Sequence, residues 1–134
     1  MSIRSNAAAA LVAAISLAPI VVVSTPAAAA PGPRQSCFFI TQWQGWKSPA
    51  PDVIYLGVNL HDVYRVQLSG PSPMLQSPGV HLVSINRGSS SICNALDLDL
   101  KVSDGHGFTE PLIARSLTKL TPEEVAAIPP KFRP

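Results

Sequence analysis

At 134 residues with a formal net charge of +2, the chain has room for one hydrophobic core and is too near neutrality for a polyanion binder. Its 46% hydrophobic content is misleading as an average, because much of it sits in residues 7–23 and the alanine run 27–30. Lys47, Arg65, Arg87, Lys101 and Arg115 are scattered singly among acidic residues, so neither a nucleic-acid groove nor an electrostatic membrane surface is expected.

Residues 1–29 have the three parts of a secretory leader: a start with one cation at Arg4, an apolar segment, and small residues at Ala27 and Ala29 before the scissile bond. The apolar segment contains Ser16 and Pro19, falls short of the roughly 20 residues a bilayer needs, and has no cationic stop after Val23. Cleavage after Ala29 removes Arg4 and leaves nine basic against eight acidic residues. No twin-arginine or lipid-attachment pattern is present, so a periplasmic or secreted protein without a membrane anchor is expected.

Export brings the chain to an oxidising space, and its two cysteines, Cys37 and Cys93, are not in a C-x-x-C arrangement. A disulfide between them closes a loop of about 57 residues, for which chain entropy gives about 4 kcal/mol. A reactive thiol needs an adjacent base and a closed zinc site needs four ligands. His61, His81 and His106 have no metal-ligand spacing to either cysteine, so neither a metal nor another cofactor is expected.

Residues 30–36, with two prolines and a glycine, read as a flexible arm ahead of a single disulfide-closed domain over 37–130 and a tail over 131–134. Residues 37–43 are aromatic and β-branched and form a first strand, ended by Gly45 and the run Ser48-Pro49-Ala50-Pro51. Residues 53–58 and 63–68 form a hairpin around a short polar connection, with Tyr64, Val66 and Leu68 buried and Arg65 and Gln67 solvated. A proline- and glycine-rich loop covers 69–79, and 80–86 form another strand.

Leu96, Leu98, Leu100 and Val102 alternate with Asp97, Asp99 and Lys101, which places the four apolar side chains on one strand face and leaves the carboxylates solvated. A flexible turn over 103–107 leads to a last strand over 112–117. Thr121-Pro122-Glu123-Glu124 is a helix start with an N-cap and a capping box, and Pro129-Pro130 stops that helix after about a turn, so it must dock through Val125 and Ile128. About six short strands at this spacing imply a mainly β fold: a small antiparallel sheet, sandwich or partly closed barrel with one C-terminal helix.

Candidate chemistry is sparse. His61-Asp62 and Asp104-Gly105-His106 are the acid and imidazole pairs, and a fold that joined them would make a small periplasmic hydrolase or metal-dependent enzyme. Turns carry Asp and His for conformational reasons alone. Ser89, Ser90 and Ser91 lie outside any G-x-S-x-G elbow. Trp43 and Trp46 stand with Phe38 and Phe39 in one aromatic stretch. Trp46, before a proline-rich turn, is the more exposed candidate for contact with an envelope protein, a glycan or a small apolar ligand. The leading expectation is therefore a non-enzymatic exported binding or structural module.

Cys37-Phe38, residues 62–68, Ile92-Cys93 and residues 120–129 together resemble an uncharacterised family of small exported domains of Gram-negative bacteria. Members of that family often carry four cysteines, and Pro73 and Ser116 stand here where the other two occur. Their joint absence is what a bond between those two implies, with Cys37 and Cys93 as the remaining pair. The resemblance implies export and a β fold, and it brings no activity, ligand or catalytic residue.

Overall fold

The computed structural model describes residues 36–85, 88 and 90–134. The expected leader over 1–29 and the expected arm as far as residue 35 lie outside the described residues. The described residues contain nine strands in three antiparallel sheets and no closed barrel, where about six strands were expected. The larger number arises because the first and last expected strands are each split in two, and Ser91–Ile92 adds a short strand that was not expected.

Gln42 accepts a hydrogen bond at Oε1 from the Phe39 N–H at 2.8 Å, which curls Ile40–Gln42 into a 3-10 turn. The first expected strand is thereby split into β1 (Phe38–Phe39) and β2 (Trp43–Ala50). Contrary to expectation, β2 continues through Gly45 and Pro49. Pro49 has no N–H to give a ladder, and it is accommodated because β2 is a sheet edge whose register shifts between Lys47 and Ala50.

The expected hairpin forms as β3 (Val53–Val58) and β4 (Asp62–Leu68). Its alternation is the one read from the sequence: Tyr64, Val66 and Leu68 are buried, Arg65 is exposed and Gln67 half-buried. The loop after Leu68 contains a 3-10 turn at Pro73–Gln76 that buries Leu75. Next come β5 (His81–Ser84) and β6 (Ser91–Ile92).

The apolar face expected from Leu96, Leu98, Leu100 and Val102 is corrected by the structure. Asn94 Oδ1 accepts from the Leu96 N–H, and Asp97 Oδ2 accepts from the N–H groups of Cys93 and Asn94. These bonds offer the backbone an alternative to a strand ladder. Ala95–Asp97 therefore winds into a 3-10 turn, Leu96 is 93% exposed, and the strand β7 covers only Leu100–Ser103. The expected last strand is two, β8 (Thr109–Leu112) and β9 (Ala114–Lys119), separated by Ile113.

The order of the main sheet is β2-β3-β4-β9, that of the second β5-β7-β8, and β1 pairs with β6. One face of each contributes to a common core: Ile54, Leu56, Val58, Tyr64 and Val66 from the main sheet, Leu100, Val102 and Leu112 from the second, and Phe38 and Ile92 from the small pair. This is a small sandwich-like arrangement. Full burial of each such aliphatic side chain contributes about 1.5–3 kcal/mol.

The helix α1 (Pro122–Ala127) starts as expected: Thr121 Oγ1 accepts from Glu124 N–H, and Glu124 Oε2 accepts from Thr121 N–H at 2.7 Å. Ile128 is 4% exposed and Val125 half-buried. Beyond α1, the Arg133 guanidinium donates to the carbonyls of Ile128 and Ala126, and the chain ends with Pro134 on Gly57 of β3. A Cβ at Gly57 would meet the Pro134 ring at 3.2 Å, so the last residues and the sheet are fitted to one another there. Gly57→Val should cost about 1–3 kcal/mol in urea denaturation through overpacking and should speed tryptic cleavage after Lys131, with the core intact by near-UV circular dichroism.

Candidate functional site

Three surface clefts share one corner of the molecule, at the turn between β3 and β4. They measure about 450, 360 and 250 Å³, and Asp62 lines all three. The turn residue Asn59 is left-handed, with φ 52°, a conformation asparagine tolerates better than most side chains. Its N–H donates to the Gln42 carbonyl at 2.9 Å, tying the turn to the segment after β1. Leu60 at the tip is 81% exposed, and His61 beside it is exposed too.

Register builds the rest of the corner. Tyr64 faces Lys119 across β4 and β9, and Asp62 lies two residues before Tyr64 on the same face. Lys119 Nζ reaches Asp62 Oδ2 at 2.8 Å and stands 6.0 Å from the centre of the Tyr64 ring. Tyr64 is buried, its ring 4.7 Å from that of Phe38 and its hydroxyl 3.0 Å from Ser36 Oγ. The Cys37–Cys93 disulfide is present and joins the ends of β1 and β6 along the smallest cleft, where Cys37 is exposed.

The largest cleft lies on the other side of the ion pair, lined by His61, Asp62 and Lys119 together with Leu120, Pro122 and Val125 from the β9–α1 junction. Its chemistry is mixed: one carboxylate, one ammonium, one imidazole and an apolar wall. The hydrogen bond to Asp62 holds the Lys119 ammonium above its ordinary value of 10.5, against a smaller opposing effect of burial. A raised ammonium value means that the pair's stabilisation is complete below pH 10.5 and is lost as pH climbs through the raised value. Both side chains are about one-third exposed, so the pair is worth under about 1 kcal/mol.

The structure does not gather the two acid and imidazole pairs into one centre. Asp104 and His106 lie in the turn between β7 and β8, and neither lines the clefts around Asp62. The Asp104 carboxylate accepts from the N–H groups of His106 at 2.8 Å and Phe108 at 3.1 Å. Those bonds, that from His106 foremost, hold it below the ordinary carboxylate value, and Asp104 thereby shapes a turn that Gly105 completes with φ +75°. Among the described residues no three His, Cys, Asp or Glu side chains come together as a metal-binding group.

Trp43 and Trp46 are half-buried and pack against the core. Trp46 faces Leu56 across β2 and β3, on the inner side of the sheet, and the Trp43 indole N–H donates to the Gly45 carbonyl at 2.8 Å. The exposed aromatic of that stretch is Phe39, at 54%, on the rim of the smallest cleft. Sequence reasoning missed Leu60 and Lys119, and it named Phe39 only as part of the aromatic stretch. Parity marks Lys119 once its strand is known to pair with β4, but no local motif does.

No family model, curated protein or solved structure matches the chain. Among the described residues no helix is long and apolar enough to cross a membrane.

Two outcomes check this account. Replacing both Cys37 and Cys93 by alanine should lower stability by about 4 kcal/mol in urea denaturation, and dithiothreitol should then have no further effect. Asp62→Asn should bring the Lys119 titration down towards 10.5, followed by NMR of the lysine Cε resonance.

Proposed function

We propose that the chain is an exported, non-enzymatic binding module of the bacterial envelope, periplasmic or secreted, that docks a protein partner at the Asp62 corner. Export and a β fold are also what the resemblance to that exported family implies. The observation that carries this reading is Leu60, 81% exposed at the tip of the β3–β4 turn between clefts, with exposed Phe39 close by on the cleft rim. Exposed apolar side chains beside an ion pair and an apolar-walled cleft make the combination of anchor and polar rim found in protein interfaces.

The disulfide supports the compartment, since paired thiols persist in oxidising spaces. A protein fits this corner better than a sugar. Its apolar contributors, Leu60, Phe39, Leu120, Pro122 and Val125, come from three separate segments and wall hydrophobic pockets. Against catalysis stands the dispersal of the titratable groups: His61 and Asp62 share the corner, while Asp104 is committed to its own turn.

A photo-crosslinking amino acid at position 60, in protein expressed with its leader, should give a discrete adduct with one envelope protein. The same residue at exposed Val83 should give none, and Phe39→Ser should reduce the adduct at position 60 at least fivefold. Equal labelling from both positions overturns the proposal, as does turnover of chromogenic esters that Asp62→Asn abolishes.

A further inference from the structure

The core-averted face of the main sheet carries a row of four side chains, one from each strand. In register, Lys47 of β2 faces Tyr55 of β3, Tyr55 faces Arg65 of β4, and Arg65 faces Thr118 of β9. All four alternate with the inward residues Trp46, Ile54, Leu56, Tyr64, Val66 and Leu117, so they project to the opposite side. Neighbouring strands lie about 4.8 Å apart, so the row spans about 14 Å, with the two cations about 10 Å apart on either side of the tyrosine. Lys47 and Arg65 are exposed and Tyr55 half-buried.

One step along the strands, Gln67 and Ser116 form the next register pair on the same face. A hollow of about 310 Å³ lies there, lined by Arg65, Gln67, Ser116, Thr118, Leu120 and Glu124. Two carboxylates stand close by, each hydrogen-bonded to a neutral donor and still charged. Asp52 Oδ2 accepts from Gln67 Nε2 at 2.8 Å, and Glu124 Oε2 accepts from the Thr121 N–H at 2.7 Å. Among the described residues neither Lys47 nor Arg65 has an ion-pair partner: Arg65 donates only to the Gln67 amide, at 3.3 Å. The face therefore offers two cations outside any ion pair, an aromatic ring between them, and neutral amide and hydroxyl groups beside them.

We infer that this face binds an acidic oligosaccharide. The Tyr55 ring takes the C–H face of a sugar ring, Lys47 and Arg65 take carboxylates borne by the sugars, and Gln67, Ser116 and Thr118 take hydroxyls. The guanidinium fork suits a carboxylate, and the spread of the cations to either side of the ring suits an extended chain that carries charge on successive units. The near-neutral net charge removes the long-range attraction a nucleic acid would use, so recognition depends on this local pattern. Of the residues that line the hollow, Leu120 also lines the largest cleft at the Asp62 corner, while Lys47, Tyr55, Arg65, Gln67, Ser116 and Thr118 line none of the clefts there.

Titration of the protein with a galacturonic acid trimer, followed by amide NMR, tests the assignment, with neutral maltotriose and a short single-stranded oligonucleotide as comparison probes. The acidic trimer should shift the amides of Lys47, Tyr55, Arg65 and Thr118 saturably. Arg65→Ala, Lys47→Ala and Tyr55→Ala should each weaken binding at least fivefold, and Arg65→Lys should weaken it less than Arg65→Ala. The amide spectra also report whether each variant is folded, and Leu60→Asp should leave the titration unchanged. The inference is overturned by equal binding of maltotriose or of the oligonucleotide, by shifts confined to the Asp62 corner, by folded variants that bind as the wild type does, or by the absence of saturable shifts.

Discussion

A single covalent bond holds together the two shortest strands of the fold. β1 and β6 pair through only two positions each, Phe38 with Ile92 and Phe39 with Ser91, too little ladder to persist by itself. The Cys37–Cys93 bridge fixes that pairing from the adjacent position on each chain. In doing so it delivers Phe38 and Ile92 to the common core and sets the Phe38 ring against Tyr64. Tyr64 in turn stands opposite Lys119, and Lys119 holds Asp62, so the corner with the clefts rests on the same bond.

A two-layer sandwich of this size commits its inward faces to packing and leaves edges, turn tips and outward faces for recognition. Two such surfaces differ in character. The turn between β3 and β4 presents apolar groups beside an ion pair, whereas the outward face of the main sheet presents a flat polar row. The two proposed contacts would thus fall on different surfaces of one frame.

The hairpin over 53–68 was legible in the sequence because its alternation of apolar and polar residues is set by one buried face, and the helix at 122 because its cap is local. The β7 region misled for an instructive reason. Leu96 fits the period of the strand that follows, yet Asn94 and Asp97 capture the backbone N–H groups and turn the chain before the strand begins. Pro49 misled in the opposite direction, since a proline that interrupts a central strand is tolerated at an edge, and edge position is a property of the whole topology. The site was half legible. His61 and Asp62 stood out, but Lys119 joins them through cross-strand register, and Trp46 was drawn inward by the parity of a strand longer than its sequence suggested.

The prolines inside strands have a bearing on solubility. Pro49 lies in β2 and Pro111 in β8, and each of those strands is the outermost of its sheet. An outermost strand with an uninterrupted row of donors is a template on which a neighbouring molecule extends the sheet, the first step towards fibrils. A proline withholds one donor from that row and bends the strand that carries it. The same two residues that disguise these strands in the sequence thus guard the protein against growth by edge-to-edge stacking in a crowded space.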